Sequence, residues 1–158
     1  MRRSAWIEGD YRYMLVRAWD FGRGICVFIM LNPSTADGKV DDATIRRCIR
    51  FAQDWGYRRL VVVNLFAYRA THPKDLREAM RPTGSMNKQV LLDQARRADL
   101  VVCAWGANGD FLDRGRKVAR WLRRKGITLH HLGLTKDGHP KHPVRLPADL
   151  TPIEWTGS

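Results

Sequence analysis

Cysteine is scarce in this chain of 158 residues. Its three copies, Cys26, Cys48 and Cys103, lie far apart, each inside an apolar segment, and none forms a CxxC pair. That pattern excludes a disulfide framework and the common zinc arrangements, and it predicts three small buried hydrophobes. No apolar run approaches the roughly 18 residues that cross a bilayer. The opening MRRSAWIEGDYRY turns polar too early for a secretory signal. A cytoplasmic protein without a membrane partner is the expectation. The usual fingerprints of nucleotide and hydrolase sites are also missing: there is no P-loop, no G-x-G-x-x-G and no G-x-S-x-G. Acidic residues are few, 16 against 28 lysines and arginines, giving a formal net charge of +12. On one small domain that excess attracts phosphates and polyanions, and it clusters at Arg46, Arg47 and Arg50, at Arg58 and Arg59, and from Arg114 to Lys125.

What the chain does contain is a series of short apolar runs that stop at polar residues. Ile25 to Leu31 follows Gly24 and ends at Asn32-Pro33-Ser34-Thr35, which predicts a buried parallel strand opening into a polar loop. Arg59 to Phe66 gives a second such strand with Asn64 near its end. Leu100 to Ala104 gives a third, ending at Trp105-Gly106, and Ile127 to Leu134 a fourth. Before them, Tyr11 to Trp19 alternates polar and apolar residues, with Tyr11, Tyr13, Leu15 and Arg17 on one side. The Gly-containing turn 20–24 predicts that it pairs antiparallel with the strand at Ile25. Ile45, Cys48, Ile49 and Ala52 at helical spacing predict a helix after Asp41-Asp42, either of which can cap it, stopped near Gly56. Further helices are expected from Pro73 to about Met80, from Asn87 to Arg97, and from Asp110 to Lys125. The alternation predicts one α/β domain over 1–158, a three-layer α/β/α arrangement. Its mostly parallel central sheet has four strands plus the antiparallel N-terminal one, and a Pro-rich extended tail follows from about 136.

In such a sheet the strand C-termini share one edge, where ligands bind. The residues at that edge are Asn32, Ser34 and Asp37; Asn64, Phe66 and Arg69; Trp105, Gly106 and Asn108; Thr135, Lys136, His139 and His142. They supply amides for the edge of a planar ring, aromatics for stacking, cations for phosphate and an imidazole. Each has a plainer reading as well: the asparagines as turn formers, Trp105 and Phe66 as core aromatics, Asp41 and Asp42 as a cap instead of a carboxylate pair. His130, His131, His139 and His142 do not read as a metal site, because adjacent strand residues face opposite ways and no cysteine or acid sits at zinc-like spacing. No metal and no cofactor is expected.

The segments LNPSTAD, DDATIRRC, NLFAYRAT, AWG and GHPKHP, in this order, resemble the bacterial and phage family catalogued as domain of unknown function 1643, over roughly Tyr11 to Pro147. One departure is visible, Val144-Arg145-Leu146 where the family usually has Leu-Tyr-Leu. More distantly, the order of strand-end motifs is similar to the uracil-DNA glycosylase superfamily, matched at Asn32-Pro33, Asn64, Trp105-Gly106 and His142-Pro143. That resemblance implies a glycosylase-like fold in which Asn32 positions the attacking water, Asn64 reads the edge of a base, and His142 stabilises charge on the departing base. Pro33, Ser34, Phe66, Arg69, Trp105, Gly106 and Lys136 would complete the substrate site. Arg46, Arg47, Arg50 and Arg145 would meet nucleic acid, DNA above all.

The leading expectation is therefore a nucleic-acid-associated enzyme acting on a base or modified nucleotide. A binding module of the same fold that has lost the reaction is the first alternative. Hydrolysis or transfer on free nucleotides is the second.

Overall fold

The computed structural model describes residues 1–157. Three apolar runs form the middle of its sheet: β3 (Ile25–Met30), β4 (Arg59–Asn64) and β5 (Leu100–Cys103). Each is buried on both faces, as unbroken runs of branched apolar side chains require. β3 pairs in parallel with both β4 and β5, and β5 continues in parallel to β6 (His130–His131). Antiparallel strands close both margins: β1 (Arg2–Glu8) and β2 (Tyr11–Ala18) beside β4, and β7 (Ile153–Glu154) beside β6. The result is a mixed sheet of seven strands in the order β1-β2-β4-β3-β5-β6-β7.

Alternate residues face opposite cores. Val27, Ile29, Val61, Val63, Val101 and Cys103 pack with Val90, Leu91 and Ala95 of α3 (Asn87–Arg97) and with Val118, Ala119 and Leu122 of α4 (Arg114–Arg124). Cys26, Phe28, Met30, Leu60, Val62 and Val102 pack with Ile45, Cys48, Ile49 and Ala52 of α1 (Ala43–Asp54). All three cysteines are free and buried in these cores. A short α2 (Pro73–Glu78) contributes Leu76 to the α3 side. Among the described residues, no helix is long and apolar enough to cross a membrane.

The structure corrects several expectations. β2 does not pair with β3; it pairs with β4, from Leu15 opposite Val62 to Ala18 opposite Arg59. The intervening turn passes across the start of β4 because Gly22 packs so tightly on Gly56 and Tyr57 that a Cβ there would lie 2.6 Å from the Gly56 carbonyl oxygen. Arg23 N–H donates to that same oxygen at 2.9 Å. β2 also fails to keep one periodicity. Its partner register jumps from Met14 to Arg12, so Tyr13 is an extra residue, a bulge that reverses the faces on either side of it. Tyr13 therefore joins the α3 side while Leu15 and Trp19 join the α1 side.

The helix expected from Asp110 starts only at Arg114. A 3-10 segment, Ala107–Asp113, precedes it, and Leu112 and Asp113 take left-handed φ near 54°. Trp105 occupies the space a continuous helix would cross: a Cβ on Gly109 would fall 2.1 Å from its ring and one on Gly115 2.7 Å. β6 keeps only two residues of the expected eight, since a single pair, Val102 with His130, joins it to β5. The tail turns at Thr135–His139 and bridges Leu134 to Pro140 before running along α1, so it is not simply extended. β1, which the sequence does not suggest, supplies the seventh strand.

Candidate functional site

At the C-terminal edge of the parallel strands lies a cavity of about 490 Å³. Asn32, Pro33 and Ser34 from the loop after β3 line it, with Asn64 from the end of β4, Trp105 and Gly106 from the end of β5, and His142 from the tail. The residues from β3, β4 and β5 meet here because parallel strands deliver their ends to one side, and the tail adds His142, 110 positions after Asn32.

Asn32 is fixed by its amide group. Nδ2 donates to the Ala70 carbonyl at 2.7 Å and to the Pro33 carbonyl at 3.1 Å, so the nitrogen faces the backbone and Oδ1 is left as an acceptor without a protein partner. Asn64 is the reverse case. It is 1% exposed, and neither its Oδ1 nor its Nδ2 has a hydrogen-bond partner among the described residues. The strand end that carries it is held firmly. Asn87 of α3 donates to the Asn64 and Leu65 carbonyls at 3.1 and 2.9 Å, and Arg114 donates to Leu65 at 3.1 Å. Two unsatisfied buried polar atoms cost a fold about 1–3 kcal/mol each, and Asn64 carries this pair at the wall of the cavity.

His142 reaches the cavity because the tail docks on Gly106, whose N–H donates to the Pro140 carbonyl at 2.8 Å. Gly106 has φ +75°, and a Cβ there would touch His142 Cβ at 3.6 Å. The imidazole Nδ1 accepts from Val144 N–H at 3.2 Å, which assigns the hydrogen of the neutral ring to Nε2. Desolvation lowers the His142 pKa from its ordinary value, opposed by the negative charge of Asp42. The neutral ring, a hydrogen-bond donor through Nε2, is thereby favoured.

Two further residues bring charge into the cavity. Arg12, on β2 just before the bulge, is 2% exposed. Its Nη1 donates to the Ala36 carbonyl at 3.1 Å, and its Nε has no partner. Burial lowers its pKa to about 10, with Asp42 acting in the opposite direction, so the guanidinium stays charged at neutral pH. Asp42 caps α1, its Oδ1 accepting from Ile45 N–H at 2.8 Å. Sequence reading leaves the cap open between Asp41 and Asp42, which the structure resolves to Asp42, and it misses Arg12 altogether. An arginine in an alternating strand reads as solvent-facing, and nothing local announces the bulge that turns it inward.

Most other candidates lie outside the cavity, whereas Trp105 lines it with a packed ring. The Trp105 ring is 2% exposed, packed edge-on against Trp155 at 5.7 Å and wedged over Gly109 and Gly115, so it is core and is not presented for stacking. Phe66 is buried beside Phe111, at 5.2 Å, and does not line the cavity. Arg69 stands outside it, donating to the Ser34 and Thr35 carbonyls and so bracing the loop. Lys136 is exposed on the tail turn. Arg46 and Arg50 are on the solvent side of α1 and Arg47 donates to the Leu146 carbonyl, while Arg145 is exposed at φ 72°. None of these four borders the cavity. Asp37 is used locally, its Oδ1 accepting from Lys39 and Val40 N–H. Among the described residues no group of three histidine, cysteine or acidic side chains is placed to hold a metal ion.

A family model described as "Protein of unknown function (DUF1643)" matches residues 12–144. No curated protein and no solved structure matches the chain.

Proposed function

Because the chain belongs to the DUF1643 family, whose description carries no activity, we propose from the cavity itself that the protein takes up a nucleobase, in a nucleic acid or a nucleotide, and acts at its N-glycosidic bond. The observation that carries this reading is Asn64. A carboxamide at the cavity wall, with donor and acceptor both unused, complements the N–H and C=O pair on the edge of a pyrimidine or purine.

The neighbouring groups support the same chemistry. Breaking the bond leaves a sugar cation and a base anion. The Nε2–H of a neutral His142 is a donor suited to oxygen charge developing on the base, and removing such a donor typically slows a reaction about 10²- to 10³-fold. Asn32 Oδ1 is an acceptor suited to hold a water by one of its hydrogens. The strand-end order, with α1 on one face of the sheet and α3 and α4 on the other, suits the glycosylase-like three-layer arrangement. The net charge of +12 suits a polyanionic substrate.

The test is base release from single- and double-stranded oligonucleotides carrying uracil or other altered bases, and from the matching nucleosides and nucleotides. Release that falls at least 10²-fold in His142→Ala supports the reading. No release from any of these overturns it. Asn32 favours one competing reading, because a carboxamide is not a base at neutral pH: a module that binds the base without cleaving it. Salt-sensitive binding that survives Asn32→Ala, with no product, is what that reading requires.

A further inference from the structure

We propose that Asp42, in addition to capping α1, is the catalytic carboxylate that takes the proton from the attacking water. The proposal rests on the N-glycosidic reading above and supplies what that reading lacks, a group able to accept a proton.

Asp42 is the one acidic residue among the described residues that line the cavity. Its carboxylate is half committed. Oδ1 is pinned by Ile45 N–H at 2.8 Å, while Oδ2 accepts no hydrogen bond from the described residues and is not among the solvent-closed atoms. Pinning one oxygen fixes the direction of the other, the preorganisation a general base needs. Asn32 is arranged in the same way, its nitrogen tied to Ala70 and Pro33 and its Oδ1 free. Both side chains belong to the cavity wall, and a water placed between the two oxygens would be held by both hydrogens, with an oxygen lone pair left for the sugar. Asp42 also acts electrostatically on the two other ionisable groups of the cavity, Arg12 and His142, with no hydrogen bond to either. Its neighbour Asp41 is spent elsewhere, on Arg17 at 2.6 Å and Arg3 at 3.4 Å.

The step balances. The water oxygen bonds to the anomeric carbon and one of its protons passes to Asp42 Oδ2. The carbon–nitrogen bond breaks, its electron pair leaves with the base, and the base oxygen is held by His142 Nε2–H. The proton on Asp42 then passes to the departed base, which restores the carboxylate.

Asparagine and serine cap helices about as well as aspartate, and neither is a base at neutral pH, so Asp42→Asn and Asp42→Ser separate the two roles. The experiment measures base release by the full chain from a uracil-containing oligonucleotide, or from whichever probe of the panel the wild type cleaves, together with thermal unfolding. The expected result is a loss of about 10²- to 10⁴-fold in kcat for both variants, with KM unchanged and both chains still folding cooperatively. Added formate should restore part of the activity of Asp42→Ser, a rescue that a cap alone would not show. Two variants that stay within about threefold of the wild type overturn the role of Asp42 and leave the N-glycosidic reading standing. A wild type that releases no base from any probe overturns both.

Discussion

Replacing Asn64 with leucine, close to it in shape and without polar atoms, removes two buried groups that nothing in the protein satisfies. The variant should be more stable than the wild type by about 1–3 kcal/mol, seen as a melting temperature higher by about 2–4 °C per kcal/mol, while base binding is lost. A variant less stable than the wild type would show that the amide is already satisfied. Asn32 should behave in the opposite way. Aspartate there would turn two donated hydrogen bonds into carboxylate–carbonyl contacts with Ala70 and Pro33, so Asn32→Asp should cost about 2–4 kcal/mol at neutral pH by chemical denaturation. This is a physical reason for the cavity to carry its carboxylate at position 42 instead of 32. At His142 the folded pKa lies below the ordinary value, so the unfolded chain binds more protons between the two. Stability is then full above about pH 6.5 and falls as the pH drops through the folded pKa. His131 is shifted the same way, by desolvation first and by His130 second. His142→Gln should flatten, without abolishing, the loss of stability between about pH 7 and 5, read from denaturation midpoints.

Among the elements, the loop between β3 and α1 depends on one side chain from another strand. Arg17 is fully buried and donates to Asp41 at 2.6 Å and to the carbonyls of Asp37, Val40, Ser4 and Val16. Arg17→Met should cost about 3–5 kcal/mol, because it strands a carboxylate and several carbonyls, and hydrogen exchange should rise first over residues 37–41. The elements legible in the sequence are those whose own residues determine them. β3, β4 and β5 are unbroken apolar runs, and α1 has both its stripe and its cap. The elements not legible are set by partners. β1 (RRSAWIE) has no strand pattern and exists by pairing with β2, the Tyr13 bulge is a property of that pair, and the late start of α4 is imposed by the Trp105 ring. The cavity divides the same way. Asn32, Asn64 and Gly106 follow from the rule that parallel strands end together, whereas His142 is brought in by the tail that docks on Gly106. Arg12 does not follow from that rule, because its direction depends on the bulge.

Over the whole molecule the basic residues do not form one surface. The solvent side of α1 carries Arg46 and Arg50, and that of α4 carries Arg116, Lys117, Arg120 and Arg124 on the opposite face of the sheet. The first turn of α1, Ala43 to Ile45, lines the cavity, whereas α4 does not. A strand entering the cavity should therefore feel α1. Reversing Arg46 and Arg50 to glutamate should weaken oligonucleotide binding and reduce its salt slope by about 1 for each phosphate no longer neutralised, and the same change at Arg116 and Lys117 should not. Fluorescence anisotropy over a salt series distinguishes the two. The tail is bound to this same helix, through Arg47 to the Leu146 carbonyl and Trp55 to the Leu150 carbonyl at 3.0 Å. Since the cavity takes Arg12 from near the start of the chain and His142 from near its end, a ribosome must deliver both before any site exists. On the N-glycosidic reading, a chain cut short before residue 142 lacks the donor to the departing base, and its base release should fall as far as that of His142→Ala.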